Sequence, residues 1–329
     1  MPAIVVDALI SQAATIVGDN AVARDRDLLL SLLEYAPNER GKAQIASKIV
    51  QGGDTYEGIK DHQMHLQHLA DFFWRNLIIP VRVAGGRTPE PRSRMSRSGA
   101  SSRGDLNSPA EAESVDDLKG VIDAANLRDS CRCIISGKVD PETMESGSFT
   151  PGGTGFEVTK VTHIIPFSLR DGSGAACALH LPAIRGALES FGGVELGSLM
   201  HGGINALDNV LTLSATVHRY FTELQIALEP MPGNPLVCRV HTWGRVAPRL
   251  GLPKTVKLRS ASGAPPPNSA YLALHCAICK VLWSSGRAQE LKDVLDDLEE
   301  VTLLAPDGSS ANLINIAIYK SLTLTDGDL

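Results

Sequence analysis

The chain has 329 residues, enough for two or three compact units, and its 43% hydrophobic and 21% charged residues are those of an ordinary globular protein. A formal net charge of -6 excludes a protein that coats nucleic acid with its whole surface, so any contact with phosphate has to be local. No apolar run approaches the roughly 20 residues that cross a bilayer, and Met1-Pro-Ala-Ile-Val-Val-Asp7 lacks the basic start of a signal peptide. With six irregularly spaced cysteines that fit free thiols, these features predict an intracellular protein, nuclear or cytoplasmic, with no membrane partner.

Residues from about 5 to 80 read as helices, because Leu28, Leu29, Leu32 and Leu33 recur at helical spacing, as do Leu66, Leu69, Phe72, Phe73 and Leu77. This helical N-terminal unit, 1–83, is expected to end where Pro80 and the paired glycines 85 and 86 interrupt the pattern. His62, His65 and His68 spread over a broad helical arc and read as a solvated face. From 84 to 115 the composition turns to Arg, Ser, Gly and Pro, which cannot bury enough surface to offset ordering entropy, and a disordered linker is expected. Its arginines suit nucleic-acid contact, nuclear import or flanks of phosphorylation sites equally.

The next unit, 116–235, opens with a helix from Asp116 to Asn126 that carries acidic residues in its first turn. Arg128-Asp-Ser-Cys-Arg-Cys-Ile-Ile-Ser-Gly137 follows as a strand, then a Gly- and Ser-rich loop, and a second strand from Phe156 to Phe167. After an insertion with a helix around Leu181 to Phe191, Val210-Leu-Thr-Leu213 reads as a short strand and Thr216 to Leu228 as a helix presenting His218. The unit is expected to close near Pro230-Met-Pro-Gly-Asn-Pro235. In the mixed α/β C-terminal extension, 236–329, a strand at Leu236–Trp243 precedes helices from Tyr271 to Trp283 and from Ala288 to about Glu300. Cys276 and Cys279 lie in an apolar helical run and read as buried packing rather than a zinc knuckle.

Three polar residues stand out against this frame. His163 ends a strand in Val161-Thr-His-Ile-Ile-Pro-Phe167, and Asn209 and His218 belong to Asp208-Asn-Val-Leu-Thr-Leu-Ser-Ala-Thr-Val-His218. A base near neutral pKa, an orienting amide and an imidazole ligand are what hydrolysis of a phosphodiester with one divalent ion requires. With Arg132-Cys-Ile-Ile-Ser-Gly137 ahead of them, in the same order, these segments resemble the HNH endonuclease family. The helical flanks are similar to those of multidomain fungal HNH proteins.

The resemblance implies an α+β fold built on a ββα-metal core, with a helical N-terminal unit and a mixed C-terminal extension. It implies a metal-dependent endonuclease acting on DNA, in which His163 is the general base, Asn209 orients it or reaches the metal, and His218 binds a divalent Mg, Mn, Ni or Zn ion. A local basic patch for DNA is expected from Lys138, Lys160, Arg170, Arg185 and Arg219. Many HNH enzymes carry Asp or His immediately before the catalytic His, where this chain has Thr162, a poor donor for a hard divalent ion. If Thr162 does not bind the ion, Asp208 and Asn209 are the nearest oxygen donors in sequence, with water completing the shell. The alternative reading is a catalytically degenerate HNH-fold module for nucleic-acid or protein interaction.

Overall fold

The computed structural model describes residues 3–54, 59–85, 109–142, 155–166, 169, 175–259 and 263–300. Four helices open the chain: α1 (Ala3–Asn20), α2 (Ala23–Tyr35), α3 (Glu39–Asp54) and α4 (Ile59–Phe73). Leu28, Leu29, Leu32, Leu33, Leu66, Phe73 and Leu77 are all buried in one core, as their spacing predicts. The helical path does stop at Ala84, before the paired glycines, but Pro80 itself does not interrupt it. A π-helical turn, Trp74–Ile78, leads straight into α5 (Ile79–Ala84), where Pro80 occupies the first turn, the position at which a helix best tolerates a missing N–H.

Of the stretch expected to be a linker, residues 86–108 lie outside the described residues. Its last part is helical, since α6 runs Pro109–Asp129 and starts before the predicted Asp116. A proline suits a first helical turn, and Ala110, Glu111, Ala112 and Glu113 are strong helix formers.

A two-stranded antiparallel sheet follows, formed by β1 (Thr159–His163) and β2 (Val210–Ser214), with Thr162 opposite Leu211 and His163 opposite Val210. Between them α7 (Ala175–Gly192) packs Leu181, Ile184, Leu188 and Phe191 into the core of the N-terminal helices. Its close approach to α3 depends on Gly41, where a Cβ would stand 2.3 Å from the carbonyl oxygen of Phe191.

After β2 the chain turns into α8 (Ala215–Thr222), completing a ββα unit. The helix predicted to reach Leu228 stops early. Leu224 adopts a positive φ of 58°, and the chain then enters β3 (Ile226–Met231). Strand pairing overrides helical propensity here, because Ile226, Ala227 and Leu228 are buried between a second strand and a helix. The partner is β4 (Asn234–Thr242), with β5 (Thr255–Lys257) on its far side in a three-stranded antiparallel sheet. Pro232 and Gly233, expected to mark the end of a unit, form the hairpin turn between β3 and β4, with Gly233 at a φ of 76°. Position 235 thus lies within β4.

Helix α9 (Ser269–Ser284), capped by the Asn268 side chain, places Leu274, Cys276, Ile278 and Cys279 in the main core, and α10 (Ala288–Glu300) closes the described chain. A second core joins Leu211, Leu213, Val217 and Phe221 of the ββα unit to Ile226, Leu228, Cys238 and Val256 of the three-stranded sheet. The architecture is α+β. Among the described residues, no helix is long and apolar enough to cross a membrane.

Candidate functional site

Three segments meet around β2. The turn at 130–137, expected to be a strand, makes only an isolated bridge between Arg132 and Val139. Ser130 and Cys131 both take positive φ, which bends the backbone out of an extended path. The turn is fastened to β2 by the N–H of Ile134, which donates to the carbonyl of Thr212 at 3.0 Å. On the other edge of β2 lies β1, which ends at His163.

His163 is buried, and its Nε2 lies 3.1 Å from Oδ1 of Asn205. A carbonyl oxygen can only accept, so this contact requires the ring hydrogen on Nε2 and puts the imidazole lone pair on Nδ1. Burial pushes the His163 imidazolium down to about 4, although the Asn205 hydrogen bond opposes the shift. At neutral pH the ring is therefore a neutral base of defined tautomer. Sequence reasoning missed Asn205, which comes from the loop before β2 and shares no periodicity with His163. The available signal was a second Asn four residues ahead of Asn209, in Ile204-Asn-Ala-Leu-Asp-Asn209.

Asn209 is fully buried, and it grips the backbone rather than the imidazole. Its Oδ1 accepts from the N–H of Ile165 at 2.9 Å, and its Nδ2 donates to the carbonyls of Ile165 at 3.1 Å and Ile204 at 3.0 Å. Its own carbonyl accepts from the N–H of Ile164 at 2.7 Å. The residue expected to orient His163 or reach a metal thus fixes the two residues after His163 and the residue before Asn205. It thereby fixes the backbone on the far side of His163 and the loop that carries Asn205.

His218 is half-buried on α8, and burial, reinforced by the positive charge of Lys160, pushes its imidazolium down to about 4. A metal ligand must offer a lone pair, and this ring keeps one at neutral pH. The start of α8 is fixed by Glu157, whose Oε1 accepts from the N–H of Thr216 at 2.7 Å and whose Oε2 takes the Lys138 ammonium at 2.8 Å. Burial works against ionisation of Glu157, but those hydrogen bonds overcome it and hold the carboxyl at about 2.

Oxygen donors are scarcer. Asp208 accepts from the side chain of Asn268 at 3.1 Å and ties the loop before β2 to α9, while Thr162 is buried in the β1–β2 pairing. Among the described residues, no three His, Cys, Asp or Glu side chains come together to hold a metal. A hard divalent ion wants several oxygen ligands, so the described donors do not complete a metal site, and His218 is the one predicted ligand in a suitable protonation state. Of the basic residues expected to serve DNA, Lys138 is paired with Glu157 and Arg219 with Glu223, Lys160 flanks His218, Arg185 is half-buried on α7, and Arg170 lies outside the described residues.

Residues 133–229, from the turn through β3, match the family described as HNH endonuclease. This stretch is an HNH-family domain. Among curated proteins and among solved structures nothing matches the chain. The HNH domain places His163 at the end of the first strand of its ββα unit, Asn209 at the entry to the second strand and His218 on the helix. Nucleases of this family act on nucleic acid and generally use a divalent metal ion.

Proposed function

We propose that the chain is an endonuclease that hydrolyses phosphodiester bonds of DNA with the help of a divalent ion, and that His163 is its general base. The observation that carries this reading is the state of His163 within the HNH domain. Asn205 sets its tautomer, burial keeps it unprotonated, and Asn209 holds rigid the loops on either side. Nδ1 of His163 takes the proton from the attacking water, and Asn205, bonded to Nε2, steadies the imidazolium that results. A bound divalent ion would supply charge stabilisation at the phosphoryl group and the leaving 3'-oxygen. His218 is its proposed imidazole ligand, and water or residues outside those described would have to provide the rest.

Nicking of supercoiled plasmid with Mg²⁺, Mn²⁺, Ni²⁺ and Zn²⁺ tests the proposal. Cleavage is expected with at least one ion, and His163→Ala should lower it by about a hundred- to ten-thousand-fold while leaving metal binding intact. His218→Ala should instead weaken metal binding and regain activity as the ion is raised. Undiminished cleavage by purified His163→Ala protein would refute the assignment of the base. Thr162, where many HNH enzymes carry a ligand, favours the second reading of a degenerate HNH module. No cutting by the wild type with any of the four ions would decide for it.

A further inference from the structure

Between Glu229 and Glu290 the chain has no acidic residue at all, yet it carries eight Lys and Arg, within a protein of net charge -6. Six of these cations, Arg239, Arg245, Arg249, Lys254, Lys257 and Arg259, are exposed. None of the six has a carboxylate partner among the described residues, whereas Lys138, Arg219 and Lys280 are each paired with one. Unopposed positive charge confined to one segment of an acidic protein is the footprint of local contact with a polyanion.

The three-stranded sheet gathers part of this charge. Arg239 lies opposite Thr255 across β4 and β5, so Arg239 and Lys257 share one face, diagonal neighbours on the sheet. The chain stays extended beyond β5, since the N–H of Leu258 donates to the carbonyl of Leu236, which places Arg259 on the same side as Lys257. Lys257 and Arg259 border a cleft of about 270 Å³, whose wall also includes Pro253, Val256, Arg132 and Asp129. Asp129 is already neutralised, as both its oxygens receive the Arg128 guanidinium and one also accepts from the N–H of Thr212. The cleft is therefore electropositive.

Its position ties it to the HNH domain. The turn that forms one wall is hydrogen-bonded to β2 at Thr212, two residues from Val210, the cross-strand partner of His163. Two strand spacings of about 4.8 Å and two residues of about 3.4 Å separate the cleft wall from the base by something on the order of 10 Å. That is roughly three base pairs of duplex rise at about 3.4 Å each.

We infer that the cleft between the 130–137 turn and β5, with Lys257 and Arg259, holds backbone phosphates of a DNA duplex a few nucleotides from the bond at His163, and that Arg239 continues this track across the three-stranded sheet. The inference rests on the endonuclease reading for the identity of the polyanion. Phosphate contacts of this kind fix register on the duplex without reading its sequence.

The test is anisotropy of a short fluorescein-labelled duplex titrated with the full-length protein in EDTA, where binding is read without cleavage. Lys257→Glu with Arg259→Glu should weaken binding by at least tenfold and make the plot of log affinity against log salt shallower by about two. Arg40→Glu with Lys292→Glu, an equal change of charge at exposed positions elsewhere, should stay within about twofold of the wild type. Lys257→Gln with Arg259→Gln covers the case in which the double glutamate variant fails to fold, and should still lose severalfold. Equal binding by the wild type and the cleft variants, or equal loss in the control pair, would overturn the inference. A plasmid assay separates the two proposals. Cleft-dependent binding with no cutting in any metal would sink the endonuclease reading alone, and cutting with undiminished binding in the cleft variants would sink the phosphate track alone.

Discussion

The side chain that gives His163 its chemical character is Asn205. On the proposed endonuclease reading His163 acts as a base only when unprotonated, and burial places its folded value at about 4, so the acid limb of kcat/KM should rise near pH 4 and not near the ordinary imidazole value of about 6.5. Asn205→Asp would set a carboxylate against Nε2 and favour the imidazolium, which moves that limb to higher pH. Asn205→Ala would remove a bond that favours protonation and free the ring to change tautomer, so the limb should move down while kcat falls by about tenfold or more. If both variants kept the wild-type pH profile, Asn205 would be a packing residue only. His163, Asn209 and His218 could be singled out as candidates from the sequence because each belongs to a linear motif with its own spacing. Asn205 was not, because its partner lies 42 residues away and the bond exists only once β1 and β2 have paired.

At the scale of elements, the HNH strands are anchored from behind by the last turn of α6. Arg128 is fully buried there, and its guanidinium binds both oxygens of Asp129 and donates to the carbonyls of Leu207 at 2.7 Å and Val210 at 2.8 Å. One side chain thus joins helix, loop and strand at Val210, the residue that faces His163. Arg128→Met should cost about 3–5 kcal/mol, because it leaves the Asp129 carboxylate buried without its partner. Urea unfolding measures this, and a loss below about 1 kcal/mol would mean that Asp129 finds water or another donor. Alternation and apolar spacing were enough to locate most elements, including β2, α9 and α10. They failed where a tertiary contact overrides local preference. The run after His218 has helical residues throughout, yet Leu224 turns and Ile226–Met231 pairs with β4, since a strand there buries Ile226 and Leu228 against Leu211 and Phe221. Pro80 misled for the opposite reason, as a π-helical turn before it lets a proline continue the helical path.

The whole molecule carries a group of histidines that it keeps neutral, and this governs its tolerance of acid. His163, His218 and His275 are each pushed down to about 4 by burial, with His275 wholly enclosed and stacked on Phe221 at 4.0 Å between ring centroids. A folded value below the unfolded value of about 6.5 means that the unfolded chain binds more protons between those limits. The stability these neutral rings permit is therefore complete above about pH 6.5 and is lost as pH falls towards 4. For His275 alone the loss at pH 5 is on the order of 2 kcal/mol. Carboxylates such as Glu157 and Glu290, both held at about 2, begin to act only below their unfolded value near 4.5, so the histidine window stands apart from ordinary acid denaturation. Urea unfolding between pH 7.5 and 4.5 should show a steady fall in stability across this interval. In His275→Leu, which keeps an apolar contact with Phe221 and removes the titrating ring, the fall should be flatter by about the share given above, even if the variant starts from a lower value at pH 7.5. An unchanged slope in that variant would mean that His275 is solvated or paired when protonated, and would leave His163 and His218 as the source of any dependence that persists.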